Sequence, residues 1–309
     1  MGRRRGWAAV LAVLIVAGGC GDGDGEKSAA ADGRPQVVAA FYPLFEAARR
    51  VGGDRVDVVN LTPAGTEPHD LELTTRQVDR IEGADIVVFL GAGFQPAVEE
   101  VARRSDGGAI DALEGLSLMP ESGEGEGEAG KGTDPHVWLD PGLLGRLVER
   151  VEAGLATADP AGEAVYARNS AEYRRELGLL DDEFGRRLSG CSRRVLVTAH
   201  SAFGYLARRY GLTQEAIAGL SPESEPDPAR LAQLTELVRA TGTTTVFTET
   251  LVSPKVAETL AREAGVTTAV LNPIEGLTEE ELEAGETYAS AMRDNLETLV
   301  MALGCVAGG

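Results

Sequence analysis

Short apolar segments alternate with amphipathic helical segments on both sides of one long helical segment in this chain. The strand-like runs are QVVAAF, VDVVNLT and ADIVVFLG before the long segment, and RVLVTAH, QEAIAG, TTTVFTET and TTAVLNP after it. Apolar strands between amphipathic helices are typical of parallel sheets covered on both faces. The pattern therefore predicts an α/β protein with two lobes, one on each side of the long helix.

The long helical segment covers residues 161–188 and places apolar side chains at helical spacing without a proline. At 1.5 Å per residue such a helix extends about 40 Å, so it predicts a stiff connection between the lobes. The expected organisation is an N-terminal lobe at 36–160, a linker helix at 161–190 and a C-terminal lobe at 191–309.

The first twenty residues have the features of an export signal. Three arginines at 3–5 precede an apolar run at 7–17, and small residues lead to Cys20. The run is shorter than the roughly 20 residues that span a bilayer. The segment VAGGC is similar to a bacterial lipobox, which predicts lipidation of Cys20; an ordinary secretory signal is the alternative. Residues 21–35, rich in Gly, Ala and Asp, predict a flexible tether.

This signal predicts an exported protein, held by lipid at the outer face of the cytoplasmic membrane or free in the periplasm.

The charge balance also limits the partners. Against 29 Lys and Arg stand 49 Asp and Glu, a formal net charge of −20. Nucleic acid is therefore not an expected partner.

The chain has only three histidines, and each lies in its own polar motif: His69 in TEPHDLE, His136 in DPHVWLD and His200 in VTAHSAFGYL. Ligands of open α/β sheets bind at the carboxyl ends of strands, where these motifs fall. Any one of them could be a structural residue, since imidazole both donates and accepts hydrogen bonds. Because all three histidines fall at likely strand ends, the sequence favours a single metal site.

Two glutamates occupy similar positions. Glu249 ends the strand-like run TTVFTE, and Glu275 follows TTAVLNP. Either carboxylate could complete a metal site with the three imidazoles, because a structural zinc site takes four ligands.

Five longer segments of the chain keep a characteristic order and spacing. They are FYPLFEAARRVGGDRVDVVNLTPAGTEPHDLELT, DPHVWLDP, VTAHSAFGYLARRYGL, LVSPKVAETLAREAG and LNPIEGLTEEELEAGETYASAMRDNL. From about residue 35 to the C-terminal helix, the chain resembles the zinc/manganese solute-binding lipoproteins of bacterial ABC importers (cluster A-I), in their zinc-uptake subgroup. The resemblance implies two Rossmann-like lobes with parallel sheets, joined by one long rigid helix, and a metal site in the cleft between them. It also implies capture of a metal ion as the transported ligand and its delivery to a permease and its ATPase.

The same resemblance implies a set of metal ligands. His69, His136 and His200 fall on ligand positions of the family, and Glu275 falls on that of the acidic fourth ligand. Glu249 is the competing carboxylate and is expected beside the ligands. Three imidazoles and one carboxylate suit Zn²⁺, whereas Mn²⁺ prefers more oxygen ligands; Mn²⁺ or Fe²⁺ is the alternative. The other carboxylates expected to orient the imidazoles are Glu67, Asp70, Asp134 and Asp140.

An acidic, glycine-rich segment at 121–134 precedes the His136 motif. Zinc-type members of the family often have a histidine-rich loop at this place. Here the segment contains no histidine, so we expect a solvated loop without strong zinc binding of its own.

Two cysteines remain after Cys20. Cys191 lies at the start of the second lobe and Cys305 near the end of the last helical segment. An oxidising compartment permits a disulfide between them, and two buried thiols are the alternative.

The chain has neither a G-x-S-x-G elbow nor an H-E-x-x-H motif, so a hydrolase, including a metallohydrolase, is not expected. A surface adhesin is the alternative from another class, since relatives have been described as adhesins and a lipid anchor would display the chain. The expected protein is a monomer and not an enzyme.

Overall fold

The computed structural model describes residues 33–120, 132–224 and 226–306, together with Gly2. Apart from Gly2, the predicted signal at 1–20 with its lipidation at Cys20 lies outside the described residues, as do the tether up to residue 32 and loop residues 121–131. They stay predictions, as do the proposed domain boundaries.

The N-terminal lobe is a four-stranded parallel sheet covered by helices. Its strands are β1 (Gln36–Ala39), β2 (Asp57–Asn60), β3 (Ile86–Phe89) and β4 (Gly108–Asp111), in the order β2-β1-β3-β4. Its helices are α1 (Tyr42–Gly52), α2 (Thr75–Gly83), α3 (Pro96–Ala102) and α4 (Pro141–Ala158).

Local sequence explains where these elements lie. The central strand β3 is buried along its whole length, as its continuous apolar run predicts. Helix α2 begins with a capping box, in which Thr74 and Gln77 satisfy each other's backbone N–H groups. Strand β4 was not predicted, because its sequence GAID is short, begins with glycine and forms a partly exposed edge.

Helix α5 (Glu163–Leu188) is the predicted long helix, with 26 residues. It packs against α1 and α4 of the N-terminal lobe and against the last helix of the C-terminal lobe. Its buried side chains follow the predicted apolar spacing; they are Tyr166, Ser170, Tyr173, Leu177, Leu180, Phe184 and Leu188.

The C-terminal lobe repeats the same strand arrangement. Its strands are β5 (Val195–Thr198), β6 (Thr213–Ala216), β7 (Thr245–Thr248) and β8 (Thr267–Val270), all parallel, in the order β6-β5-β7-β8. Its helices are α6 (Gly204–Arg209), α7 (Pro228–Thr241), α8 (Lys255–Ala264), α9 (Glu279–Glu283) and α10 (Tyr288–Leu303). The predicted α/β fold with two parallel sheets is confirmed.

The lobes share one hydrophobic core. A single cluster of buried side chains includes Leu44 of α1, Leu177 of α5 and Leu296 of α10, whereas a smaller cluster lies within the C-terminal lobe. Because apolar side chains from both lobes pack together, wide separation of the lobes would expose core surface to water.

A disulfide between Cys191 and Cys305 joins the segment before β5 to the segment directly after α10. Of the two alternatives left open by the sequence, the structure therefore has the bridge.

Within the described part of the chain, no helix is both long enough and apolar enough to cross a bilayer.

Candidate metal centre

Four side chains from distant parts of the chain meet between the two lobes: His69, His136, His200 and Glu275. Their potential ligand atoms all lie within 4.8 Å of one another. The Oε1 atom of Glu275 is 3.4, 3.3 and 3.2 Å from the Nε2 atoms of His69, His136 and His200, respectively. A tetrahedron with zinc–ligand distances of about 2.0–2.1 Å has edges of about 3.3–3.4 Å, so the three distances to Glu275 match edges of a zinc site.

The cluster is shielded from solvent. His136 and His200 have no exposed surface and Glu275 is 2 % exposed. The side chain of His69, which is 8 % exposed, is the most accessible of the four.

A short loop after β2 positions His69. The carboxylate of Glu67 accepts the backbone N–H of His69 at 3.1 Å and that of Asp70 at 3.4 Å. The ring of His69 packs edge-on against Phe94, with 4.6 Å between the ring centres. Glu67 therefore orders the backbone of this loop and does not hold the imidazole ring.

The turn before α4 carries His136, and Asp134 holds it at two points. Asp134 Oδ1 accepts the backbone N–H of His136 at 2.9 Å and lies 2.8 Å from its ring Nδ1. This contact directs Nε2 towards the centre of the cluster. Burial lowers the pKa of His136, but the hydrogen bonds with Asp134 and Glu275 outweigh it, so the pKa lies above its usual value.

His200 follows β5 and is held in the same way. Glu249, at the end of β7, accepts its backbone N–H at 3.0 Å and lies 2.6 Å from its ring Nδ1. Burial lowers the pKa of His200, yet the charges of Glu249 and Glu275 raise it well above its usual value. Glu249 thus lies beside the cluster of four side chains.

Glu275 stands on a constrained turn. The preceding Ile274 has a φ of 55°, in the left-handed region that an isoleucine rarely adopts. The side chain of Asn272 stabilises this turn by accepting the N–H of Ile274 at 2.7 Å, and Asn295 of α10 bonds to the backbone of Asn272. Sequence reasoning missed both asparagines, although the dipeptide Asn272-Pro273 is a known turn signal.

The remaining titratable groups respond to the same burial and charge. Burial opposes ionisation of Glu275, but the neighbouring imidazoles outweigh it and hold its pKa well below the usual range. Burial lowers the pKa of His69. Burial and the charge of Glu275 raise the pKa of Glu67 to about 7. The centre therefore combines ionised and neutral groups in a small, water-poor volume.

Two of the carboxylates expected to orient imidazoles lie elsewhere. Asp140 caps α4, because its Oδ1 accepts the N–H groups of Gly142 at 2.8 Å and Leu143 at 3.2 Å. Asp70 is exposed, and it contributes its backbone N–H to Glu67. The role expected of Asp70 and Asp140 is therefore wrong, as is that of Glu67, which binds backbone N–H groups only. Of the carboxylates expected beside the imidazoles, Asp134 and Glu249 contact a ring nitrogen.

The model of one protein family, described as zinc-uptake complex component A, periplasmic (ZnuA), matches residues 37–302. This range covers most of the chain and all four clustered side chains. The chain belongs to the ZnuA family. The description of the ZnuA family names a component of an uptake complex and no enzymatic reaction.

Curated ZnuA-family relatives extend the comparison. The chain is 39 % identical over 279 residues to the zinc-binding lipoprotein AdcA of Streptococcus pneumoniae, covering 87 % of this chain and 56 % of AdcA. It is 35 % identical over 302 residues to the high-affinity zinc uptake system protein ZnuA of Bacillus subtilis, covering 94 % of each. The chain thus spans little more than half the length of AdcA but nearly all of the Bacillus relative.

Solved structures agree with this ZnuA-family assignment. The Zn(II)-bound ZnuA-like domain of S. pneumoniae AdcA superposes with a TM-score of 0.75 at 39 % identity, covering 88 % of this chain and 99 % of that domain. The laminin-binding protein Lmb of Streptococcus agalactiae, described as a bifunctional protein with adhesin and metal-transporting activity, superposes with a TM-score of 0.78 at 30 % identity. That match covers 87 % of this chain and 99 % of Lmb.

Proposed function

We propose that this protein captures one Zn²⁺ ion outside the cytoplasm and delivers it to an ABC importer. The ligands in this proposal are His69, His136, His200 and Glu275. The observation that carries it is the 3.2–3.4 Å spacing between the Glu275 oxygen and three imidazole nitrogens, since those distances fit the edges of a tetrahedral zinc site.

The donor set favours zinc over manganese. Three nitrogens and one oxygen suit a borderline-soft, four-coordinate ion, whereas Mn²⁺ prefers more oxygen ligands and a larger coordination number. The carboxylates of Asp134 and Glu249 lie on the outer sides of two rings and offset the positive charge of the ion. Mn²⁺ or Fe²⁺ is the alternative ion.

The same proposal names the partners and the place. The ion would pass to a permease driven by its ATPase, and the protein would be an exported monomer anchored through lipid on Cys20. The similarity to ZnuA of B. subtilis, named as a protein of a high-affinity zinc uptake system, supports delivery to an importer. The name of AdcA, a zinc-binding lipoprotein, supports the lipid anchor.

A role in binding is proposed in preference to catalysis. Four protein ligands fill a tetrahedral site, while catalytic zinc sites keep one position for water or substrate. The similarity to Lmb makes surface adhesion a second candidate function. Adhesion does not need a buried ligand set, so the two roles are separable by experiment.

The deciding experiment is a zinc titration of the metal-stripped protein without residues 1–20, with a chelating dye as competitor and Mn²⁺ as rival ion. We expect one tight site for Zn²⁺, strongly weakened in His200→Ala and Glu275→Ala. The control is Glu258→Gln, which changes an exposed carboxylate on α8. A preference for Mn²⁺ would overturn the choice of ion, and no tight binding of either ion would overturn the function.

A further inference from the structure

A series of buried hydrogen bonds joins the two lobes beside the metal centre. From it we infer that Trp138 and Tyr288 are positioning residues: they hold the turn carrying His136 against the loop carrying Glu275. This inference rests on the proposed zinc binding, and it assigns a task to two side chains that are not themselves ligands.

The first hydrogen bond joins a side chain next to one proposed ligand to the backbone next to another. Trp138 lies two residues after His136, and its ring Nε1–H donates to the carbonyl oxygen of Pro273 at 2.8 Å. Pro273 lies two residues before Glu275. The bond spans 135 positions of sequence and connects the N-terminal lobe to the C-terminal lobe. It therefore couples the position of one ligand to that of the other.

The next two hydrogen bonds of the series involve Tyr288, the first residue of α10. Its hydroxyl donates to the carbonyl oxygen of Trp138 at 2.6 Å, and its backbone N–H donates to the Glu46 carboxylate at 2.8 Å. Glu46 lies on α1 and also accepts the hydroxyl of Tyr42 at 2.6 Å. One residue of the C-terminal lobe is thus held by two separate elements of the N-terminal lobe.

We call the group formed by Glu46, Trp138, Pro273 and Tyr288 the clasp. Its polar groups are shielded from water. Trp138 and Tyr288 have no exposed surface and Glu46 is 1 % exposed. Separation of the lobes at this edge would leave several buried donors and acceptors unpaired, which is unfavourable. The clasp therefore keeps the four ligands assembled before the ion arrives, and a preassembled site binds more tightly because less ordering is needed.

The test compares Tyr288→Phe and Trp138→Phe with Tyr166→Phe, using the protein without residues 1–20. Tyr166 of α5 also has no exposed surface and its hydroxyl donates to Asp159 at 2.6 Å, so its variant loses a hydrogen bond of the same length outside the metal centre. We expect both clasp variants to bind Zn²⁺ about five- to tenfold more weakly, through faster dissociation into excess chelator. The visible spectrum of bound Co²⁺ should shift in the clasp variants and stay unchanged in Tyr166→Phe.

The double variant gives an additional check. Because the two bonds lie in series through Trp138, its loss of affinity should be smaller than the product of the two single losses. Unchanged zinc affinity and an unchanged Co²⁺ spectrum in Tyr288→Phe, which loses one oxygen atom only, would overturn the inference. Lowered melting temperatures with wild-type affinity would also overturn it, since they would show a purely structural role. Failure of the wild-type protein to bind zinc would instead remove the proposed function itself.

Discussion

Glu249 holds His200 at two points: one carboxylate oxygen accepts the backbone N–H at 3.0 Å, and the other lies 2.6 Å from ring Nδ1. The residues follow β7 and β5, which are neighbours in the sheet. Asp134 also holds His136 of the other lobe at two points, although a single oxygen, Oδ1, makes both contacts. In both pairs the carboxylate determines which ring nitrogen faces the centre, so the imidazoles are oriented before any ion binds.

We predict that Glu249→Gln weakens zinc binding by about 10- to 100-fold without abolishing it. The amide is a weaker acceptor and can turn its NH₂ group towards Nδ1, which would favour the wrong ring tautomer. Competition against a chelating dye measures the effect, with Glu258→Gln as the matched control. An affinity equal to that of the wild type would show that the Glu249 contact does not orient the ligand.

A second prediction concerns Gly204, the first residue of α6. A Cβ added at Gly204 would lie 2.9 Å from Oδ2 of Asp134, too close for an undisturbed contact. Since Asp134 is already bound to His136, we expect Gly204→Ala to displace that ring and weaken zinc binding about tenfold or more.

The control for Gly204→Ala is Gly178→Ala in α5, where an added Cβ meets no atom within 4 Å. This control should raise the free energy of unfolding by about 0.5–1 kcal/mol, because alanine is the better helix former, and leave zinc affinity unchanged. Equal zinc affinities for both variants would contradict the steric argument at Gly204.

The third prediction concerns the disulfide between Cys191 and Cys305, which closes a loop of 114 residues. Replacing both cysteines with serine should lower the free energy of unfolding by about 2–4 kcal/mol, because the open chain has more freedom when unfolded. Zinc affinity should not change, since the bridge precedes β5 whereas His200 follows it. Urea unfolding measures the first effect, and a thiol assay on the unfolded wild type should detect no free thiol from this pair.

The fourth prediction is a pH dependence at Asp181 of α5, whose carboxylate accepts hydrogen bonds from Arg209 and Tyr210. The bond from Arg209 is the main reason that the pKa of Asp181 lies below its usual value, and burial opposes it. Because the folded-state pKa is lowered, the stabilisation is present above the unfolded-state pKa of about 4 and is lost as the pH falls through the folded-state value.

Asp181→Asn should therefore lower the free energy of unfolding at pH 7 and have progressively less effect as the pH falls below about 4. Urea unfolding at several pH values measures this difference. The control is Glu100→Gln, which removes a solvent-exposed ion pair with Arg104 and should have little effect at any pH. A loss of stability in Asp181→Asn that is the same at pH 3 and pH 7 would contradict the prediction.

Much of the fold could be predicted from periodicity. The spacing of apolar side chains predicted α5 to within two residues of its start, and the apolar runs predicted seven of the eight strands found in the described residues. Strand β4 was not predicted because a short segment that begins with glycine has no clear strand pattern. Asp140 was misassigned, although an aspartate directly before a proline is a recognised start of a helix.

By itself the sequence predicted the two-lobed α/β plan and one site formed by the three histidines, because strand ends and polar motifs are local features of the chain. The choice of Glu275 over Glu249 rested on the resemblance to a known family. Only the tertiary structure decided which carboxylates hold the imidazoles, that Cys191 and Cys305 are bridged, and that Trp138 reaches Pro273 across the lobes. Such contacts join residues two to well over a hundred positions apart. They depend on distances fixed to within a few tenths of an ångström and on angles fixed to within a few degrees. Packing in the folded protein sets these values, and the local sequence pattern does not encode them.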